Sequence, residues 1–342
     1  MKISVVIPCY NSSETIDQTL ESIYAQTYRE FDIVVVNDGS RDDTGRVLAK
    51  HRDRIKYVYQ DNAGVSAARN TGVRAAEGDW IALCDADDLW ASDKLEVVAE
   101  VIGREAFGCD LVFSDFSLMD EGKVSELRGM MSSKSTFGVF RDCGIGILDM
   151  FESHATLISR RGRTQEVGVH YGNILRWLIL GNVLLPSAVI VKRSAYDSVN
   201  GFRPEFRNAE DTEFFLRLAK QCNFLYIDEP LITYRRAPTS LLATSMLKTM
   251  KGGISAVEVN CKEDLETYRN HKSLVDTSLA RKYAKLGYFH LSEIDNKEAF
   301  DAARKALHLR KAEPLAWKVI FASMLPKWLL RLARTIIEAR KR

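Results

Sequence analysis

The chain has 342 residues, 46% of them apolar, which is enough for one large α/β domain or for two units with their own cores. Its 48 basic and 46 acidic residues leave a net charge of +2, so the overall balance gives no argument for nucleic acid as a partner. Six scattered cysteines (Cys9, Cys84, Cys109, Cys143, Cys222, Cys261) form no CxxC pair and no zinc spacing with histidine, the usage expected of reduced thiols in the cytosol.

Residues 3–7 read as a first strand, and Pro8 stops the apolar run before it is long enough for a signal-peptide core. Residues 13–25 place Ile16, Leu20, Ile23 and Tyr24 at helical spacing. Residues 31–36 form an apolar run suited to a strand covered on both faces, followed by a loop at 37–43 and a helix at 44–51. Strands at 55–59, 80–83 and 111–116 alternate with helices at 66–76 and 93–102, which predicts a parallel sheet with crossover helices. Between 117 and 175 the rhythm is lost, as in a region that shapes a second substrate or in an insertion without function. It returns with a strand at 188–191, a helix from about 210 to 220 and a strand at 224–227.

From about residue 277 the pattern is helical throughout, and 283–314 has the small-residue spacing and closing proline of one tetratricopeptide-like helical pair. Two apolar stretches fall short of a membrane span. Residues 174–191 are interrupted by Arg176, Asn182 and Pro186, and 315–330 carry Lys318, Pro326 and Lys327.

The sharpest chemical feature is Asp85-Ala86-Asp87-Asp88, directly after the strand at 80–83, on the carboxyl edge where open α/β sheets bind ligands. One aspartate there could simply cap the next helix, but three in four residues exceed that need. Like charges held close call for a cation, and oxygen ligands beside a phosphate suit Mn²⁺ or Mg²⁺. Asn37-Asp38-Gly39-Ser40 follows another strand and reads either as a turn or as an acid that accepts hydrogen bonds from a nucleobase or ribose. Residues 62–72 open a helix with small side chains and put Arg69 near its first turns, where it would serve a diphosphate or stand as a solvated charge. Glu210-Asp211 heads an amphipathic helix, which suits either a base kept ionised by the helix dipole or an ordinary N-terminal acid with no chemistry.

Taken together, residues 1–240 resemble the family 2 glycosyltransferases, inverting enzymes with a GT-A-type fold. Val5-Val6-Ile7-Pro8-Cys9-Tyr10-Asn11 is similar to the family's opening strand and turn, Val36 to Ser40 to its second motif, and Asn62 to Gly72 to its third. Asp85-Ala86-Asp87 matches its DxD motif, and Glu210-Asp211 after Gly201-Phe202 its acidic pair.

The resemblance implies a Rossmann-like, mostly parallel central sheet flanked by helices. It makes 1–115 the nucleotide-binding half and 116–240 the acceptor-binding half, with 241–342 as an all-helical appendage. It also implies roles. Pro8, Tyr10 and Asp38 would hold base and ribose, Arg69 the diphosphate and Asp85 the sugar-nucleotide. Asp87 would bind the metal, and Asp211, beside Glu210, would be the catalytic base. Many relatives carry a histidine where this chain has Ala237, so either Arg235 or Arg236 takes over its work or the cation is held more loosely and the arginines are surface charges.

The donor implied is a nucleotide-sugar, UDP-sugar favoured, and the acceptor a glycan or a lipid-linked hydroxyl in cell-surface polysaccharide or glycolipid assembly. Residues 327–342 carry six basic residues against Glu338 alone, with Trp328, Leu329, Leu332 and Ile336 available for one face. That suits peripheral contact through 315–342 with the inner face of the cytoplasmic membrane, or a packed terminal helix with a solvated end. A sugar-phosphate nucleotidyltransferase and a non-catalytic nucleotide-binding scaffold are the competing readings. The sequence sets no oligomeric state.

Overall fold

The computed structural model describes residues 1–104, 107–120, 123–128, 147–151, 153–160, 163–236, 246–326 and 328–330. The chain divides into two compact units, Met1–Ser240 and Leu241–Arg342.

In the first unit the elements run β1 (Ile3–Cys9), α1 (Ile16–Tyr24), β2 (Phe31–Asp38), α2 (Thr44–Ala49), β3 (Lys56–Gln60), α3 (Val65–Ala75), β4 (Trp80–Leu83), β5 (Leu89–Trp90) and α4 (Lys94–Gly103). Next come β6 (Leu111–Asp120), β7 (Lys123–Arg128), β8 (Ser153–Arg160), β9 (Arg163–Gly172), α5 (Leu175–Leu180), β10 (Val189–Lys192), α6 (Arg193–Ser198), α7 (Glu210–Ala219) and β11 (Phe224–Arg236). Their strands join one mixed sheet in the order β3-β2-β1-β4-β10-β6-β11-β9-β8, with β5 added to β11 and β7 to β6. Its core is mostly parallel. Strands β3, β2, β1 and β4 run together, as do β6 and β11, while β10 lies antiparallel between β4 and β6.

All seven residues of β1 and the last six of β2 are buried, which is why these segments read as unbroken runs rather than alternating ones. Helix α3 crosses close over them at Gly72, where a Cβ would collide with Val6, so the small residues of 62–72 have a packing reason independent of any ligand.

Two stretches depart from the sequence expectation. The region of lost rhythm contributes β7, β8 and β9 at the antiparallel end of the sheet. In β9, Val167 and Val169 are buried with Gly168 between them and polar residues before them, so no continuous apolar run marks the strand. Strand β11 runs to Arg236, well past the expected 227. Register shifts around Pro230 let the ladder to β6 absorb a residue that cannot donate.

The second unit comprises α8 (Met246–Val257), a π-helical turn (Glu258–Lys262), α9 (Leu265–Ser292), α10 (Asn296–Leu309) and α11 (Pro314–Ser323). Asp264 and Asp295 cap α9 and α10 by accepting from Thr267 N and Glu298 N, and Pro314 opens α11 where its missing N–H costs nothing. Buried Ala299, Ala302, Ala303 and Ala306 bring α10 against α9, whose inward face includes Ala280 and Ala284. No helix among the described residues is long and apolar enough to cross a membrane.

Candidate active site

The parallel strands end on one edge, and the loops leaving β1, β2 and β4 build the first part of the site there. After β1 the chain turns through Asn11, which adopts a left-handed φ of 52° and locks the turn to the β2 loop. Its Oδ1 accepts from Arg41 N at 2.8 Å, and its backbone N donates to Ser40 Oγ at 3.0 Å. Pro8 is buried in register with Val36, while Tyr10, one residue beyond β1, presents a ring that is 47% exposed.

Asp38, at the end of β2, is 3% exposed and already occupied by the chain itself. Its carboxylate accepts from Gln60 Nε2 at 2.7 Å, from the backbone N of Ala63 and of Gly64 at 2.9 Å each, and from Asn62 Nδ2 at 3.2 Å. Four donors fill a carboxylate's usual capacity, so its geometry is that of an anchor for the 62–64 loop rather than a free acceptor. Gly39 belongs to the same knot. Its φ is +68°, and a Cβ there would come within 2.7 Å of Asn62 N.

Arg69 connects the two acidic motifs. Its guanidinium, 2% exposed, donates from Nη2 to Asp85 Oδ1 at 2.7 Å and from Nη1 to Glu210 Oε1 at 3.2 Å. Phe202 lies under it, with the ring centroid 5.0 Å from Cζ. Burial weighs against the charge, but Asp85 and Glu210 more than offset it and hold the group protonated. Expected at a diphosphate, Arg69 instead spends both terminal nitrogens on carboxylates that lie 125 positions apart in sequence, Asp85 and Glu210. Neighbouring Asn70 fastens α3 to the turn before α7. Its Oδ1 accepts from Phe202 N at 2.9 Å and from Tyr196 Oη at 2.5 Å, and its Nδ2 donates to Phe202 O at 2.8 Å.

Asp211 sits in the first turn of α7, behind Ala209, a non-glycine residue held at φ 60° and ψ 31°. Such strain persists only where surrounding structure fixes it, and here the fixing is visible. Arg217, buried on α7, makes a two-pronged ion pair with fully buried Glu213, from Nε at 2.6 Å and Nη2 at 2.7 Å, and also donates to the carbonyls of Val199 and Gly201.

Asp211 Oδ1 accepts from Thr212 N at 2.6 Å, and Oδ2 accepts from Asn182 Nδ2 at 2.9 Å. Burial, followed by the charge of Glu210, pushes its carboxyl up to about 6. Asn182 itself is braced across the backbone of Leu184, a brace that sequence reading missed because its contact with Asp211 joins positions 29 apart with β10 and α6 between them.

The other acids after β4 diverge. Asp85 N donates to Ser187 Oγ at 2.9 Å, which seats the turn on the segment before β10. Asp87 is partly buried, and burial with the charge of Asp85 raises its carboxyl to about 6, against a lowering influence from Arg235. Asp88 points inward, 1% exposed, and accepts from Arg235 N at 3.2 Å. Burial and the charges of Asp85 and Asp87 raise its carboxyl well above the ordinary range.

Arg235 therefore flanks the acidic turn, with Nη2 donating to Gln18 Oε1 at 2.7 Å. The backbone of Arg236 is in register with Asp120 in the β11–β6 ladder, while Ala237, where the resemblance implied a histidine, lies outside the described residues. Beneath the turn a fully buried Lys94 donates to the carbonyls of Ser187 and Ala188 at 3.1 and 3.3 Å, and burial lowers its ammonium to about 7. Lys94 and Ser187, too, carried no sequence signal beyond an ordinary helix start and an ordinary loop.

Among the described residues no three His, Cys, Asp or Glu side chains gather into a set that would hold a metal by themselves.

The family described as Glycosyl transferase family 2 matches residues 4–161, which takes in the three loops on the parallel edge and the acidic turn. The uncharacterized glycosyltransferase EpsJ of Bacillus subtilis (strain 168) is 37% identical over 284 residues, 78% of this chain and 74% of that one. Of three rickettsial relatives also matched, the chain covers only 27%, 21% and 18% of the length.

Among solved structures, S. aureus TarS 1-349 in complex with UDP-GlcNAc superposes over 100% of this chain and 92% of its own, with a TM-score of 0.61 at 18% identity. The mannosyltransferase PcManGT of Pyrobaculum calidifontis, in complex with GDP-Man and Mn²⁺, covers 97% of this chain and 83% of its own at a TM-score of 0.53 and 19% identity. At such identities these two speak for a shared GT-A-type fold alone. The EpsJ match reaches beyond the acidic turn over most of both chains, and with it the family is settled: this chain belongs to glycosyl transferase family 2.

Proposed function

We propose that the chain is an inverting glycosyltransferase. It moves a sugar from a nucleoside-diphosphate sugar, UDP-sugar by preference, to a hydroxyl of a glycan or lipid-linked acceptor. The product class is cell-surface polysaccharide or glycolipid, assembled in the cytoplasm at the inner face of the membrane. The observation that carries the reading is the Arg69 bridge, which sets the acidic turn after β4 and the Glu210-Asp211 pair around one guanidinium. Donor and acceptor chemistry then meet in one place.

In this reading Pro8 and the exposed Tyr10 ring border the base, and Asp38 acts on the nucleotide through the loop it anchors. Asp85, oriented by Arg69, faces the sugar-diphosphate. Asp211 is the base. It takes the proton of the acceptor hydroxyl as that oxygen bonds to the anomeric carbon, and the bond from that carbon to the diphosphate oxygen breaks on the opposite side. Configuration inverts, and the nucleoside diphosphate leaves.

The donor set fits a hard divalent cation, Mn²⁺ or Mg²⁺. Asp87 offers oxygen ligands, and its carboxyl, raised by burial first and by the charge of Asp85 second, is one that a cation would hold ionised. With few protein ligands, substrate oxygens and water would complete the shell. Such an ion supplies compensation for charge on the departing diphosphate. Support for the donor class comes from the relatives of like fold, one solved with UDP-GlcNAc and one with GDP-Man and Mn²⁺.

The test is thermal unfolding of the full chain against UDP, GDP and dTDP with and without Mn²⁺, followed by turnover of the matching nucleotide-sugar. Stabilisation by one nucleoside diphosphate that requires the cation is expected, with about 3 kcal/mol gained at a hundredfold excess over Kd. No shift with any of them, or release of pyrophosphate from a triphosphate and a sugar phosphate, would refute the reading.

A pH profile follows from the raised Asp211 carboxyl. The base must be ionised, so kcat/KM is expected to fall about tenfold per pH unit below about 6 and to level off above about 7. A profile flat down to pH 4.5, near the ordinary carboxylate range of about 4, would remove Asp211 from the role.

A further inference from the structure

Helix α11 is apolar on both sides. Ala316, Val319, Ile320 and Ser323 are buried where it packs on α9 and α10, the face a surface helix normally gives to its core. The outward stripe carries Trp317, Phe321 and Met324, which are 46%, 65% and 65% exposed, and Leu325 and Trp328, at 41% and 65%, continue it past the helix end. Positions 317, 321, 324 and 328 keep the spacing of a single helical stripe. Trp317 and Phe321 stack with centroids 6.1 Å apart, and the Trp317 indole donates to Lys311 O at 2.8 Å, so the exposed ring is held in position. Other large exposed apolar side chains, such as Tyr59, Val124 and Leu265, lie on separate elements far apart in the sequence.

Charge selects the occupant. Lys318 lies within α11, and the sequence adds Lys327, Arg331, Arg334, Arg340, Lys341 and Arg342 against Glu338 alone, all of which lie outside the described residues. A second copy docking through the same patch would set these like charges against one another. Indole and phenyl rings beside excess lysine and arginine match an anionic bilayer, with the rings at the headgroup boundary and the cations on the phosphates.

We propose that α11 docks peripherally on an anionic phospholipid surface, with Trp317, Phe321, Met324 and Trp328 entering the interface and the basic sequence beyond it adding charge. The inference rests on the proposed function only for its purpose, keeping the transferase beside a lipid-linked acceptor. The binding itself does not require transfer.

The experiment is flotation of the full chain with phosphatidylcholine vesicles, with and without phosphatidylglycerol. Binding is expected to the anionic vesicles, weaker to the neutral ones, and weakened by high salt as screening predicts. The variant combining Trp317→Ala, Phe321→Ala and Trp328→Ala should bind about tenfold more weakly or worse, with its unfolding temperature unchanged. Arg331→Glu with Arg334→Glu should abolish the preference for anionic lipid. Asp211→Asn should float like the unsubstituted chain, so a failed transfer assay and a failed docking proposal are read separately. The proposal is overturned if the chain ignores anionic vesicles, if the aromatic variant floats equally well, or if the patch instead drives a concentration-dependent dimer that this variant loses.

Discussion

Asp211→Asn is expected to lower kcat by about a thousandfold, the middle of the range for loss of a positioned general base, while leaving the Kd for donor nearly unchanged. The reason is the geometry of the pair: Asp211 faces Asn182 and Thr212, whereas the Arg69 bridge runs to its neighbour Glu210. The amide keeps the shape and the acceptor for Thr212 N but cannot take a proton. Misfolding is separable by a sign argument.

The folded carboxyl of Asp211 lies above its unfolded range, so the proton binds the folded state better, and the ionised group weighs against folding increasingly as pH rises from about 4 through about 6. Removing that charge should therefore leave the unfolding temperature at neutral pH unchanged or higher, a common outcome at catalytic sites that trade stability for function. Stopped turnover with intact folding and intact donor binding is the expected triad. Near-normal kcat in this variant would mean that another group takes the acceptor proton.

The parallel half of the sheet was legible in the sequence because strands buried on both faces leave unbroken apolar runs, as in Val5 to Ile7 and Val34 to Val36. Strands β7 to β9 were not, and in β9 the reason is visible: Gly168 stands between the buried Val167 and Val169, so no unbroken apolar run marks it. The same division runs through the candidate site. Asp85, Asp87, Glu210 and Asp211 stood out because clustered acids at element ends are costly without a purpose.

What holds them was silent. Asn182, Ser187 and Lys94 are ordinary residue types whose meaning lies in contacts across 29, 102 and 93 positions. Arg69 and Asp38 show the limit in another form. Both were visible as residues of interest, yet sequence spacing could not tell a side chain that reaches for a ligand from one consumed by its own loop or by two carboxylates.

Arg69→Met should unfold the first unit more easily than any other single change in the site. The arginine is buried, and its removal leaves Asp85 and Glu210 facing one another without the cation between them. Breaking a buried ion pair on one side costs about 3–5 kcal/mol, because the remaining charge keeps its desolvation penalty and loses its partner. At about 2–4 °C per kcal/mol for a unit of this size, the unfolding temperature should drop by about 10 °C.

Arg69→Lys should recover part of the stability but little of the activity, since one ammonium cannot fork across two carboxylates as a guanidinium does. Adding Glu210→Gln to Arg69→Met should restore more stability than Glu210→Gln costs by itself, which a double-mutant cycle reads as a coupling of about 1–3 kcal/mol. If Arg69→Met unfolds at the temperature of the unsubstituted chain, or if the two changes merely add, the guanidinium is not what holds the two acidic motifs together.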